Sequence, residues 1–594
     1  MRLLLMWRGA GNPAEDLSPE RVAARVQQLF SPLFAVPPCV RTRQGRAMSM
    51  VFLEAPVPRW NAPFFQEDRH TWVLAVDYPL NAQAALADQG TPVGTDAVLP
   101  ALCRQLEAGP RSLLRTIVPP FCLVWSSQDT GETFVQNDGL GQTQLVEFQN
   151  DRLWALTNKI VALKALGISL ELERDHWAVR STLGWFPLDM TGYKRLRFLA
   201  PATQLRLDSH GLTRTTHEVL SEWVRPAGLS QDDCLELARC SLINQIKAVM
   251  PLSERPSVGL SGGWDTRAVV STLRALGFAF SPRVRGLPGR PDVLVASELA
   301  RIAGLDLSVH SSSGLPPPDA GACARCISLA LLWQAGYMPS HKHKTFLSNK
   351  PYLEPGTVNI MGQHGEIGRG YYAKRIRAAE SSEPHYESRL ISHLMGGMPP
   401  FTRQDLQDLI RETIRTAYRQ ADRYDLVGLA RLDFFYLYER TRRWASGSLS
   451  AQPGVVVAPF LNPDYIRATF AYSGGGEEAN PFHRHIIAVH SPDWLHVPFA
   501  EDLKRKECPG QGADPRRAVE PVAPCPVTWR QPEGNRNYNS SLYWATVGRP
   551  LIDDALARGG FWTDVFDPDL VEKQWSAAPD DVALLDLLPR VMES

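Results

Sequence analysis

Residues 258 to 277 constrain the fold of this chain more than any other stretch. They read Val258-Gly-Leu-Ser-Gly-Gly-Trp-Asp-Thr-Arg-Ala-Val-Val-Ser-Thr-Leu-Arg-Ala-Leu-Gly277, a short apolar strand, a glycine turn and an amphipathic helix. Ala268, Val269, Thr272, Leu273 and Leu276 share one helical face, and Gly277 supplies a left-handed stop. Ser261, Gly262 and Gly263 let the backbone approach an anion closely, while the first N–H groups of the helix point at it. Such a turn is a cradle for pyrophosphate and needs no side chain to act as one. Asp265 falls in the first helical turn, where the dipole favours a carboxylate and its oxygens can ligate a magnesium ion bridging phosphates. Thr266 adds a hydroxyl. The alternative is an ordinary strand-to-helix turn with Asp265 as its cap. A Walker-type loop is excluded, because no Gly-Lys-Ser or Gly-Lys-Thr follows four residues after a glycine.

The surrounding pattern alternates strand and helix. Phe278 to Leu287 reads as a second strand, and Pro291 to Gly304 as an amphipathic helix on which Asp292 reads as an N-cap. That order predicts a parallel sheet covered on both faces, with ligands beyond the carboxyl ends of its strands. The turn at 261 and a glycine-rich acidic loop at 362 would emerge there, and an adenine edge would be read by backbone near Leu260 and Gly286. The amino-terminal part differs: short alternating strands such as Met48 to Glu54, Thr71 to Asp77 and Phe121 to Ser126 come with few long helices. A border in Val224 to Gln231, before a helix starting near Asp232, divides the chain into 1–224 and 225–594. Residues 507–537 lack periodicity and read as a mobile loop or a plain surface excursion, and the segment after Tyr538 reads as helical.

Composition narrows the function classes. The 594 residues are 44% apolar, enough for two large cores, and 63 basic against 63 acidic residues give no global field for nucleic acid. A local cluster, Arg440, Arg442 and Arg443, can still bind phosphate. Nine widely spread cysteines indicate a reducing, cytoplasmic setting over a disulfide scaffold. Cys323 and Cys326 lack the second pair that a zinc site needs. Met1 to Trp7 is too short for a signal sequence, and no apolar run reaches membrane length.

The Ser261-Gly-Gly-Trp-Asp-Thr266 string resembles the pyrophosphate loop of the N-type ATP pyrophosphatases, and more narrowly of the asparagine synthetase B type. Asn359-Ile-Met-Gly-Gln-His-Gly-Glu-Ile-Gly-Arg-Gly-Tyr-Tyr372 resembles the family's Ser-Gly-Glu-Gly-Ser-Asp-Glu-Leu-Phe-Gly-Gly-Tyr segment. Gly362, Gly370 and Tyr372 match it, and Glu366 falls where the family places its second magnesium carboxylate; a solvated acidic turn is the alternative. Arg440 to Trp444 and Val456 to Asn462 resemble a further helix and strand, with Asn462 in place of an acid. Phe121 to Gly131, Asn137 to Gly141 and Asp151 to Leu163 look like the glutaminase domain that precedes the synthetase domain in this family. The resemblance therefore implies an α/β chain: a glutaminase-like αββα sandwich, then an adenine nucleotide α-hydrolase-like parallel-sheet domain. Glutaminase chemistry needs an amino-terminal cysteine, and the chain opens Met1-Arg2-Leu3, so glutamine-fed asparagine synthesis is not expected.

Two branches of the family work without that chemistry, the beta-lactam synthetases and the lasso peptide cyclases, and the chain is most similar to the second. The resemblance implies ATP and Mg2+ as cofactors, with Asp265 and Glu366 as metal ligands. It implies a processed precursor (core) peptide as substrate, and a leader peptidase and a leader-recognition protein as partners. Arg484, in Pro481-Phe-His-Arg-His-Ile-Ile487, aligns with a family arginine. The family lysine falls on Asn480, leaving Lys504, Arg505 and Lys506 to supply charge to pyrophosphate or to form a solvated face. Trp264, Tyr371, Tyr372 and Trp444 would line a peptide site or belong to the core. A small-molecule amide ligase and an inactive nucleotide-binding scaffold are the competing readings.

Overall fold

Near-continuous apolar runs in the first 216 residues bury both faces of the central strands. Along Arg2–Gly9, Leu3, Leu5 and Trp7 enter one apolar core while Leu4 and Met6 enter another; neighbouring strands divide their side chains the same way. The computed structural model of the chain describes residues 1–9, 17–45, 48–67, 71–127, 130–225, 228–310, 319–337, 353, 355–445, 453–472, 480–507 and 547–577, without the side chains of 379, 445 and 504–507.

The strands of the first part are β1 (Arg2–Gly9), β2 (Cys39–Gln44), β3 (Ser49–Glu54), β4 (Phe65–Glu67), β5 (Thr71–Asp77), β6 (Cys122–Ser127), β7 (Thr133–Asn137), β8 (Val146–Gln149), β9 (Leu153–Thr157), β10 (Leu196–Phe198), β11 (Thr203–Leu207) and β12 (Leu212–Thr216). They form two antiparallel sheets, ordered β10-β8-β9-β1-β3-β2 and β12-β11-β7-β6-β5-β4. The sheets pack face to face over Leu4, Met6, Phe52, Leu74, Val124, Val135 and Leu205. Helix Pro19–Phe30 lies on the outer face of the first sheet and helix Val98–Ala108 against β5 of the second. The layers therefore run helix, sheet, sheet, helix.

The second part begins with helix Gln231–Val249, whose start is set by a reciprocal capping box between Ser230 and Asp233. It contains five parallel strands: β13 (Ser257–Gly259), β14 (Ser281–Arg285), β15 (Ser308–His310), β16 (Val358–Ile360) and β17 (Val455–Val457). Their order is β15-β14-β13-β16-β17. The order reverses between β13 and β16, and in open parallel sheets the crevice at such a reversal is where ligands sit. Helix Trp264–Ala275 follows β13, and Gly277 ends it at φ +63. The expected sheet, the helix Pro291–Ala303 and its left-handed stop at Gly304 all occur within a few residues of the sequence reading. The irregular 507–537 segment lies outside the described residues beyond Glu507, as does the chain after Ala577.

A buried arginine ties the carboxy-terminal part to this sheet. Arg267 donates to the carbonyls of Trp494 (2.9 Å), Val497 (2.8 Å) and Pro498 (3.0 Å), and its guanidinium stands 3.8 Å from the Phe499 ring centroid. Burial pushes its pKa down to about 9. With its neighbours in place the residues from Trp494 to Ala500 become a strap across the start of helix Trp264–Ala275. Replacing Arg267 by Leu would orphan three carbonyls and is expected to cost about 3 kcal/mol or more. The half-exposed Arg274, paired with Asp493 at 3.1 Å, serves as control, with Arg274→Ala expected to cost below about 1 kcal/mol. Urea unfolding of both variants measures the difference.

Candidate functional site

The loop after β13 is largely satisfied from within. Thr266 Oγ1 accepts from Ser261 N–H (3.1 Å) and lies 2.9 Å from Ser261 Oγ, which accepts in turn from Gly263 N–H (3.3 Å). Gly262 N–H donates to Asp292 Oδ1 (3.3 Å). Asp292 is therefore not the N-cap expected of it; Arg290 holds that position, and the acid reaches back from its own helix to the glycine turn. The strap closes over the same glycine: Ala500 N–H donates to Gly262 O (3.0 Å), and a Cβ at Gly262 would lie 2.4 Å from Ala500 Cβ. Trp264 stacks on Phe499 with ring centroids 3.6 Å apart, and its indole N–H donates to Glu501 (3.2 Å).

The loop after β16 presses against the first turn of helix Trp264–Ala275. A Cβ at Gly362 would meet Thr266 N at 2.7 Å, and one at Gly365 would meet Asp265 Oδ1 at 2.3 Å and His483 Nε2 at 2.8 Å. Only glycine permits this approach. Asp265 is the centre of what the two loops enclose. Arg369 Nη1 donates to both of its oxygens (3.2 and 3.1 Å), and His483 Nε2 lies 2.8 Å from Oδ1. Arg369 is itself oriented by Asn480, whose Oδ1 accepts from its Nε (2.8 Å). Burial opposes the charge on Asp265, but His483 and Arg369 outweigh it and hold the carboxyl below its usual pKa. Glu366 moves the other way: burial and the charge of Asp265 raise its pKa, against Arg369 and the Tyr436 hydroxyl.

His364 completes the loop with a left-handed backbone at φ +75. It is buried, both ring nitrogens find no hydrogen-bond partner among the described residues, and burial lowers its pKa to about 3, so the ring is neutral. The Tyr465 hydroxyl, also buried and without a partner there, would lie 2.7 Å from a Cβ at Gly368. Tyr436 and Arg440 belong to Phe435–Ala445, an eleven-residue π-helix, a rare conformation that clusters at functional sites. Arg440 stands about 5 Å from the ring centroids of Trp185, Tyr371 and Trp444, and Tyr371 stacks on Tyr436 at 4.5 Å.

The structure thus joins Ser261, Gly262, Gly263, Asp265, Thr266, Gly362 and Glu366 in one region, and treats other expected residues differently. The N–H groups of Leu260 and Gly286 are taken by Arg283 O (2.8 Å) and His310 O (3.1 Å). Arg484 is exposed, while its neighbour His483 is the residue that touches Asp265. The side chains of Lys504, Arg505 and Lys506 lie outside the described residues. Arg442 and Arg443, expected as a phosphate cluster, are buried and donate to Leu188 O, so they serve the junction with the first part of the chain. Asn462 caps helix Pro463–Ala471 through its Oδ1 to Asp464 N–H (2.9 Å). Cys323 and Cys326 are buried on helix Ala320–Gln334, and burial raises the Cys326 thiol.

Arg369, His483, His364 and Tyr465 were not singled out from the sequence, although three of them lie inside the quoted motifs. Glycines on both sides of Arg369 and a histidine among Phe482, Ile486 and Ile487 on a buried helical face were the available signals. Asp265 and Glu366 are hard oxygen donors of the kind magnesium takes, and burial, with the charge of Asp265 beside it, raises Glu366. Among the described residues no group of three or more histidine, cysteine or carboxylate side chains is placed to hold a metal, and Arg369 already bridges both oxygens of Asp265.

No family model matches the chain, and no curated protein is significantly similar to it. The solved structures that match it include one described as the allosteric regulatory enzyme of purine biosynthesis and another as glutamine phosphoribosylpyrophosphate (PRPP) amidotransferase from B. subtilis complexed with ADP and GMP. Each is 10% identical, covers 54% of this chain and 82% of its own, and has a TM-score of 0.25, too low to bear on fold or chemistry.

The close approach of Gly365 to Asp265 makes a differential prediction. Gly365→Ala is expected to lose about 1–3 kcal/mol by overpacking. Gly370→Asn, at φ +58 with only ordinary contact to Ala373, places a residue that tolerates the left-handed region and is expected to lose below about 1 kcal/mol. Denaturant midpoints compare the two.

Proposed function

We propose that this chain is an ATP-dependent, AMP-forming amide ligase of the asparagine synthetase-like type, and that it closes a macrolactam in a processed peptide, as a lasso peptide cyclase does. The observation that carries the reading is the meeting of the loops after β13 and β16 on Asp265, at the point where the strand order reverses. In this reading the chain is divided at 224/225 into a glutaminase-like sandwich and a synthetase domain. A leader peptidase and a leader-recognition protein would deliver the peptide.

A side-chain carboxylate of the peptide bonds to the α-phosphorus of ATP as the α–β bridging bond breaks and pyrophosphate leaves toward Ser261, Gly262, Gly263 and Thr266. The peptide's amino terminus then bonds to the acyl carbon, AMP departs, and the amine loses a proton. Arg369, fixed between Asn480 and Asp265, places positive charge beside the loop without reorganisation at the moment of reaction. Asp265 and Glu366 would hold magnesium, which supplies charge neutralisation to phosphate oxygens when bound. Trp264, stacked on Phe499 and tied to Glu501, keeps the strap over Gly262 and shields the loop from water.

One observation favours a second reading, the inactive nucleotide-binding scaffold: Asp292 already engages Gly262 N–H, and Arg369 already bridges both oxygens of Asp265. Pyrophosphate release from ATP, with candidate linear core peptides and mass spectrometry, separates the readings. Peptide-dependent release with loss of one water is expected, falling by roughly a hundredfold or more in Asp265→Ala. Release restored only by ammonia or small amino acids would move the assignment to a small-molecule ligase, and no release under any condition would leave the scaffold.

A further inference from the structure

Past the loop after β16 the chain builds a surface of arginines and aromatic rings that the chemistry at Asp265 leaves unused. Tyr371 and Tyr372 open helix Tyr371–Arg375, and Tyr436, Arg440 and Trp444 follow one another at four-residue spacing on the π-helix. Tyr371 stacks on Tyr436 with ring centroids 4.5 Å apart, and its other face carries the Arg375 guanidinium, 3.4 Å from the centroid. Arg440 stands 4.9 Å from the ring centroids of Tyr371 and Trp444 and 5.1 Å from that of Trp185. The Tyr436 hydroxyl connects this surface to Glu366, to which it hydrogen-bonds.

Two guanidiniums therefore share one tyrosine ring, and among the described residues neither forms an ion pair. Arg375 gives one N–H to Tyr371 O (3.1 Å), and Arg440 stands near the buried Tyr372 hydroxyl, which makes no well-formed hydrogen bond among the described residues. Burial lowers the pKa of His393, and the charges of Arg375 and Arg440 lower it further. An aromatic ring takes the flat face of a guanidinium and leaves its edge, where all five N–H donors lie, open to a planar acceptor. The surroundings are open as well: Arg375 is exposed, and so is Trp444 at 45%, although an indole is ordinarily well covered. An open patch of this kind encloses no small molecule and fits a chain that runs on beyond it.

We infer that Arg440, flanked by Trp185, Tyr371 and Trp444 and assisted by Arg375, binds a carboxylate of a peptide, with the exposed Trp444 indole covering an apolar residue beside it. The two oxygens of a carboxylate match the guanidinium edge with paired, charge-assisted hydrogen bonds, and a carboxamide in the same place cannot. Nucleic acid would require a track of cations along its backbone, and this patch offers two arginines. The inference deepens the amide-ligase reading and rests on it for the peptide's role as substrate. A carboxylate held here, connected to Glu366 through Tyr371 and Tyr436, positions the peptide, while the one that reacts lies at the glycine loop.

Isothermal titration of the full chain, without ATP, with acetyl-Phe-Asp-Phe-amide and with acetyl-Phe-Asn-Phe-amide tests it. The acid is expected to bind roughly fivefold tighter or more, and Arg440→Gln to bring the two peptides within about twofold of each other. Trp444→Ala is expected to weaken both peptides alike. Arg375→Gln, at an exposed position, keeps the test open should Arg440→Gln fail to fold, with a partial loss of the preference expected. The titration reads binding alone. Its failure beside intact peptide-dependent pyrophosphate release would remove the subsite and spare the ligase reading, and its success without release would do the reverse. Equal binding of the two peptides, a preference unchanged in both Arg440→Gln and Arg375→Gln, no binding of either peptide at millimolar concentration, or tighter binding of a thymidine oligonucleotide than of the acid would overturn the inference.

Discussion

Everything around the glycine loop depends on keeping one buried carboxylate charged. An ion removed from water needs partners of opposite charge and hydrogen bonds to its oxygens, or it neutralises itself by taking a proton. Asp265 receives them from two separate stretches of chain: Arg369 from the loop after β16, and His483 from helix Pro481–His490; Asn480, the residue just before that helix, acts through Arg369. The glycines at 362 and 365 exist in this scheme to let a backbone come within van der Waals reach of an acid. Loss of the charge would leave a guanidinium and two loops with nothing to converge on.

Burial sets the ionisable groups on both sides of the π-helix: it raises Glu366, with the charge of Asp265 beside it, and it lowers Arg443, with Arg442 beside it. The π-helix runs between these environments: Tyr436 faces Glu366, whereas Arg442 and Arg443 reach Leu188 and Glu439 accepts from Leu188 N–H (2.9 Å). A single helical element therefore touches the acidic site at one end and fixes the sandwich to the parallel sheet at the other.

The local architecture was legible where one physical signal dominated. Short continuous apolar runs bounded by polar residues mark β3 and β5 almost to the residue, and Gly277 and Gly304 stop their helices because few other residues adopt a positive φ. The glycine turn and its acid were legible for the same reason. Pairings were not, since they depend on where remote segments come to rest. Asp292 reads as a cap by position, yet the fold presents it with an unmet N–H on Gly262. His483 and Arg484 are adjacent polar residues in sequence, and only the packing of their helix decides which one faces Asp265. Arg443 reads as a surface cation until Leu188, 255 residues earlier, supplies a carbonyl for it.

The sheet's own hydrogen bonding has a consequence for any ligand at its carboxyl edge. Leu260 and Gly286 have spent their N–H groups on Arg283 and His310, so at these two positions the main chain has no donor left to give. A lone pair arriving at this edge must find its hydrogen on a side chain or on another stretch of backbone.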